Sequence, residues 1–183
     1  DVHRLRAGSS AIVSSANTVI KDDARLNVRD VAFEFKPPVR VIIDRDLKLT
    51  PELKIFSVEQ PVLVYASDVD AERKSAFEQQ HVEVIDIAAS DNWLNDVFVD
   101  MAGKREINEV FVEAGAGFAG ALLEAGLVDE LILYMAPSLL GHDAGPLLRL
   151  SQLDKISHAR KLKMTDVRQI GPDVRLRLSV EGE

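Results

Sequence analysis

The chain has 183 residues, 46% hydrophobic and 28% charged, enough for one globular domain whose core must be aliphatic because aromatics are only 5%. A net charge of -8 argues against a nucleic-acid-binding surface, and the absence of cysteine excludes disulfides, thiolate zinc sites and a cysteine nucleophile. Four scattered histidines, His3, His81, His142 and His158, match no metal-ligand spacing, and no apolar run approaches the ~20 residues that span a membrane, so a cytoplasmic protein is expected.

Apolar patterning alternates between strand and helix periods along the chain. Val2 to Gly8 reads as the end of a helix stopped by Gly8, and Ala11 to Val13 as a short strand. The next segment, Ser14 to Arg29, carries small hydroxyl residues, the pair Asp22-Asp23 and then a basic residue. It reads as a loop at the carboxyl edge of a sheet, where open α/β folds bind ligands. Asp22 and Asp23 are candidates for an acid/base pair, a divalent-metal site or caps of a solvated turn. Arg29 is a phosphate clamp or a surface charge.

Val39 to Asp44, Val62 to Tyr65 and His81 to Asp86 are three further strands, the first two preceded by proline, and residues 70–80 form a polar surface helix. Ser90 is placed to cap a helix with Trp93, Leu94, Val97, Phe98 and Met101 on one face and Gly103 as its stop. This makes the lone Trp93 a core residue. Val110 to Val112 is a strand, followed by a glycine turn, a short helix ending at Gly126, and a buried strand at Leu131 to Met135. The chain closes with Val174, Leu176, Leu178 and Val180 alternating with Arg175, Arg177 and Ser179, a strand with one wet face. The turn Gly171-Pro172-Asp173 pairs it antiparallel with Lys161 to Arg168. The fold class expected is α/β: a mixed, mostly parallel sheet flanked by helices, ending in an antiparallel hairpin, in one domain over 1–183.

The most informative stretch is Val110 to Gly126, where an apolar run enters a glycine-rich turn that opens directly into a helix. Free backbone amides and the positive helix end make such a turn an anion site, most often for nucleotide phosphates. Gly115, Gly117 and Gly120 satisfy G-x-G-x-x-G, but a Rossmann unit needs this motif in its first βαβ and an acidic residue about 20 positions on. The motif lies roughly two-thirds along the chain, and the strand that follows ends in Ala136-Pro137-Ser138 with no carboxylate. Phosphate binding on another nucleotide fold is favoured over a turn kept only for strand-to-helix packing.

Several blocks, in order, carry a resemblance: Thr18-Val19-x-x-Asp22-Asp23-x-x-Leu26-x-x-Arg29; Val41-Ile42-Ile43-Asp44; Val112-Glu113-Ala114-Gly115 with Ala119-Gly120-Ala121-Leu122-Leu123; Leu127 to Leu131; Ala136-Pro137-x-Leu139-Leu140-Gly141; and Gly171 to Val174. Together they look like the reductase half of the bifunctional riboflavin-biosynthesis deaminase/reductase, over nearly the whole chain. The resemblance implies a dihydrofolate-reductase-like fold and the NADPH-dependent reduction of the ribosyl group of 5-amino-6-(5-phosphoribosylamino)uracil to ribityl. By analogy Thr18, Asp22 and the turn Gly115, Ala116, Gly117, Phe118, Ala119, Gly120 and Ala121 face the cofactor. Arg6, Leu26, Arg29 and Glu113 hold the phosphorylated substrate, with Glu113 accepting ribose hydroxyls and assisting proton movement as the sugar opens.

Arg45 stands where relatives can have a small polar residue near the cofactor, either pairing with an adenosine 2′-phosphate or lying in solvent. Ala24 replaces the proline that often follows the two aspartates. A start at Asp1 without methionine is expected of a fragment. It lacks the family's preceding strand, with its lysine and Ser-Leu-Asp-Gly-like motif, and the upstream deaminase domain with which zinc would come. A homodimer is expected. The alternatives are a related NADPH reductase acting on a pterin or other non-phosphorylated substrate, or a non-catalytic nucleotide-binding module.

Overall fold

The computed structural model describes residues 1–77, 81–151, 155 and 159–180, so His158 and the last three residues of the expected 70–80 helix lie outside the described residues. The chain divides into two compact units, Asp1–Gly115 and Ala116–Glu183. No helix among the described residues is long and apolar enough to cross a membrane.

The first unit runs α1 (Val2–Gly8), β1 (Ala11–Ser15), α2 (Ala16–Asp22), β2 (Val39–Ile43), β3 (Val62–Ala66), α3 (Ala71–Ser75), β4 (Val82–Asp86), α4 (Trp93–Arg105) and β5 (Val110–Val112). Its five strands are all parallel, in the order β4-β3-β2-β1-β5. β1, β2 and β3 are buried on both faces and are correspondingly aliphatic-rich, whereas the edge strand β4 alternates and exposes Glu83 and Asp86. One face packs Ile12, Ile42, Val62, Val64 and Val84 with Val19, Leu26, Ile55 and Phe77. Each such buried side chain contributes about 1.5–3 kcal/mol. On β3, the Tyr65 hydroxyl donates to Asp100 of α4 at 2.8 Å, and burial leads the causes that push this phenol's pKa up. Trp93, Val97 and Met101 of the same helix are buried, which makes Trp93 the core residue expected.

Arg40 is a fully buried side chain on β2 with no exposed surface. Its guanidinium donates to the carbonyls of Ile55 (2.6 Å), Val58 (2.8 Å) and Gln60 (2.6 Å), which fastens the 55–60 segment to the sheet. Desolvation lowers its pKa to about 10.

Three local expectations are corrected. The first half of the segment after β1 is a two-turn helix, α2, rather than a loop, capped where Ser15 accepts the Thr18 amide, and residues 23–29 are the loop expected. Asn92, not Ser90, sits at the α4 N-cap; Ser90 donates to Asp96 at 2.7 Å. Gly103 does not end α4, whose last turn is held by Lys104 on Asp100 and Arg105 on Glu83 and which stops at Glu106 in the left-handed region (φ 55°).

The second unit opens with α5 (Ala116–Glu124) and continues as β6 (Glu130–Met135), β7 (Leu162–Ile170) and β8 (Asp173–Val180). Gly126, at φ 69°, ends α5 as expected: its amide bonds Leu123 O and the Leu127 amide bonds Leu122 O, which closes the helix with the two bonds of a Schellman motif. Gly171, at φ 60°, takes the first central position of the two-residue turn between β7 and β8, where L side chains are disfavoured.

The strands form an antiparallel sheet in the order β6-β8-β7. The parallel sheet with helices and the closing antiparallel strands agree with the expected fold class. The expected sidedness does not hold. Leu131, Leu133 and Met135 stand opposite Leu178, Leu176 and Val174, and Val167, Met164 and Leu162 extend the same face, yet Met135, Met164 and Val167 are 56%, 57% and 53% exposed. Arg175, on the face expected to be wet, is buried and donates to Asp166 at 2.9 Å. Leu131 to Met135 is therefore only partly buried, not the core strand expected.

Candidate functional site

β1 lies between β2, which the chain reaches through α2, and β5, which arrives from the other side. The strand order reverses there, and ligands of open parallel sheets bind outside the carboxyl ends at such a point. Ser14, Ser15 and Glu113 occupy those ends.

Glu113 follows β5 directly. Its amide donates to Val13 O at 2.9 Å, and its carbonyl accepts the hydroxyl of Ser14, a fully buried side chain, at 2.6 Å. With its backbone fixed on both sides, the carboxylate meets Arg6 of α1 in a two-pronged pair: Arg6 Nε to Oε1 at 2.5 Å and Nη2 to Oε2 at 2.6 Å. The guanidinium fork matches a carboxylate in this way, and such charge-assisted bonds are the strong ones. The third arm, Nη1, donates to Asn27 O at 2.7 Å. Arg6 is thus engaged with Glu113 and the loop that carries the other expected substrate residues.

That loop, residues 23–38, has no helix or strand and three left-handed non-glycine residues, Asp23 (φ 44°), Leu26 (φ 49°) and Asp30 (φ 55°). Such conformations cost of order 1–3 kcal/mol each and persist where the surroundings enforce them. Leu26 is buried in the core, which anchors the loop from beneath. Arg29 is exposed, and its amide donates to His3 Nδ1 at 3.1 Å. Asp23 caps α2, and its carboxylate takes the Lys54 amide at 3.0 Å and Lys54 Nζ at 2.7 Å. The Lys54 side-chain bond leads the causes that hold its pKa below the usual carboxylate range. Of the three roles open to Asp22-Asp23, Asp23 therefore serves the cap. Asp22 is exposed, and no group of three or more metal-ligating side chains comes together among the described residues.

Thr18, on α2, accepts the Gly115 amide at 3.2 Å and shares a hydrogen bond with Ser15 Oγ at 3.0 Å. The first amide of the glycine turn is therefore bound to the protein itself. In the second unit, the first-turn amides of α5, those of Ala116, Gly117 and Phe118, have no partner within the helix by its geometry. The two glycines there differ in kind. A Cβ at Gly117 would meet nothing within 4 Å, whereas at Gly120 it would lie 2.0 Å from the Arg149 carbonyl oxygen. Gly120 serves close packing, reinforced by the Arg149 amide on Ala116 O at 2.9 Å. Ala121 is exposed. Arg45 is exposed and places its guanidinium 5.6 Å from the centroid of Trp93, a cation–π contact.

His3, Asn27 and Ser14 escaped the sequence. The spacing of His3 and Arg6, three apart on one helix face, was the available signal for the first. Ser14 and Asn27 act through a carbonyl contact and a backbone atom, which residue type does not announce.

Comparison with known proteins extends these observations. The RibD C-terminal domain family matches residues 1–176. The chain is 38% identical to the riboflavin biosynthesis protein RibD of Haemophilus influenzae, covering 100% of the chain and 50% of that protein. It is 35% identical to the 5-amino-6-(5-phosphoribosylamino)uracil reductase of Buchnera aphidicola subsp. Acyrthosiphon pisum, covering 98% of the chain and 90% of the relative. RibD of Acinetobacter baumannii superposes with a TM-score of 0.85 at 32% identity over 99% of this chain and 49% of that one. The chain therefore spans about half the length of several relatives it matches. With the family matched over residues 1–176 and a relative 35% identical covered over 90% of its length, the chain belongs to the RibD C-terminal domain family.

Proposed function

We propose that this chain reduces the ribosyl group of 5-amino-6-(5-phosphoribosylamino)uracil to its ribityl form with NADPH. The observation that carries this is the Arg6–Glu113 pair fixed beside the Arg29 loop at the switch point of the parallel sheet. A phosphorylated sugar needs a cation for its phosphate and an acceptor for its hydroxyls, and both are present on an otherwise acidic protein. Arg6 spends its fork on Glu113, so the phosphate falls to exposed Arg29. Glu113, orientated by Arg6, accepts ribose hydroxyls. Its carboxylate keeps lone pairs beyond the two that Arg6 engages, so those hydroxyls have acceptors to meet.

The residues fit a dinucleotide. The first turn of α5 offers backbone donors at the positive end of a helix, with open space above Gly117. Ala116 to Ala121 would hold the pyrophosphate; Gly115, Thr18 and Asp22 are the first unit's proposed contributions to cofactor binding. When bound, the cofactor supplies the hydride that reduces the sugar carbon. Arg45 would meet an adenosine 2′-phosphate, which favours NADPH over NADH. The exposed aliphatic face of the three-stranded sheet is where a second copy would dock. It carries no charge to oppose an identical face, and the Buchnera relative, 90% covered, has little further chain to cover its counterpart.

The test is NADPH oxidation by the full-length protein with the deaminated ribosylaminouracil phosphate. Turnover supports the proposal. Cofactor binding without turnover overturns it and favours a non-catalytic module.

A further inference from the structure

We propose that His3 is a positioning residue for the phosphate end of the substrate site, its neutral imidazole holding the backbone of Arg29 so that the arginine faces the ligand; this rests on the substrate class proposed above. α1 grips the segment Asn27–Arg29 at two points two residues apart. Arg6 donates to Asn27 O at 2.7 Å, and His3 Nδ1 accepts the Arg29 amide at 3.1 Å. The segment lies between two left-handed residues, Leu26 and Asp30, and so needs external bonds to keep its conformation. Arg6 and His3 supply them from one helix face, and Arg6 continues to Glu113. Through α1, the five residues His3, Arg6, Asn27, Arg29 and Glu113 form one network from the amide of Arg29 to the carboxylate of Glu113.

An imidazole accepts at Nδ1 only when neutral with its proton on Nε2, since both nitrogens of the cation are donors. The charged groups around His3 are Arg6 on its own helix, Arg29 and Asp30 on the loop, and Glu113 after β5. Burial first, then the two arginines, lower its pKa below the ordinary 6.5, against the opposing pull of Glu113 and Asp30. The sign follows directly. The holding form persists at neutral pH and is lost as pH falls through the lowered value.

The experiment compares wild type, His3→Gln and His3→Leu, each checked for folding by thermal unfolding, using ribose 5-phosphate binding and KM for the full substrate. Glutamine keeps an acceptor oxygen without titrating; leucine removes the acceptor. His3→Leu is expected to weaken ribose 5-phosphate binding and raise KM about 3- to 10-fold with kcat kept, the size of one lost hydrogen bond. His3→Gln should restore most of that. The substrate phosphate itself titrates near pH 6, so the deciding readout is the difference between wild type and His3→Gln. Wild type should lose affinity more steeply towards acid, by the part that belongs to His3. Identical pH profiles, or wild-type affinity in folded His3→Leu, overturn the inference. Binding of ribose 5-phosphate with the expected His3 effects but no turnover overturns the proposed reaction and leaves the inference standing. No binding of ribose 5-phosphate by wild type overturns both.

Discussion

Arg6 and Glu113, 107 residues apart in the chain, meet through both prongs of the guanidinium at 2.5 and 2.6 Å. The pair converts two expected substrate ligands into one unit: the arginine aims the carboxylate, and the carboxylate is what a sugar would meet. It also explains why α1, only seven residues long, belongs to the site at all, since its one inward arginine ties β5 to the Asn27 loop.

Arg29 is then the expected phosphate contact. Arg29→Ala should raise KM for the phosphorylated substrate by ~10- to 100-fold, because a charge-assisted contact is worth about 1.5–3 kcal/mol. NADPH affinity should stay near wild type in direct titration. A parallel loss of both would move Arg29 to the cofactor site or to the fold.

The glycines of the turn separate by function. Gly117→Val fills open space and should weaken NADPH binding while leaving the melting temperature close to wild type. Gly120→Ala places a methyl on the Arg149 carbonyl and should destabilise the protein. Equal cofactor affinity in folded Gly117→Val would remove the turn from the cofactor site.

Much of the first unit was legible because a sheet buried on both faces writes itself as unbroken aliphatic runs, and because proline and glycine punctuate the connections. Position at the carboxyl edge also followed, because Ser14 to Arg29 comes directly after a strand end. What stayed hidden was which partner each polar residue takes. Asp23 found Lys54, 31 residues on, and Thr18 found Gly115, 97 residues on. Spacing along the chain carries no information about such meetings. The left-handed Leu26 was hidden for a related reason, since leucine does not advertise positive φ, whereas aspartate, the type at Asp23 and Asp30, is enriched there.

The second sheet teaches a narrower lesson. Alternation fixed that Val174, Leu176 and Leu178 share a face, and they do. Period two cannot say which face is covered. Here Arg175 is buried with Asp166, and Met164 and Val167 stand in solvent.

The Asp166–Arg175 bond gives an acid signature. Arg175 leads the causes that lower the Asp166 pKa, so the stabilisation is complete above the ordinary carboxylate pKa of about 3.9 and is lost as pH falls through the lowered value. Asp166→Asn should lower the melting temperature at neutral pH, with the gap to wild type closing below about pH 4. A gap that is independent of pH would mean that packing, not charge, is what the variant loses.

Glu113 separates orientation from proton transfer. Glu113→Gln keeps the shape and one acceptor but removes the charge that Arg6 grips. If the carboxylate only orientates the sugar, ground state and transition state lose alike, and the effect falls on KM, about tenfold, with kcat nearly kept. If it moves a proton, kcat falls by ~10²–10⁴ and one limb of the pH profile disappears. The two-pronged grip fixes the carboxylate in one orientation, which is what the first outcome requires. Arg6→Lys sharpens the comparison: it preserves the charge but not the fork, so a site that depends on orientation should lose KM in this variant as well. A kcat collapse in Glu113→Gln with Arg6→Lys left at wild-type KM would show instead that the carboxylate takes part in the chemistry.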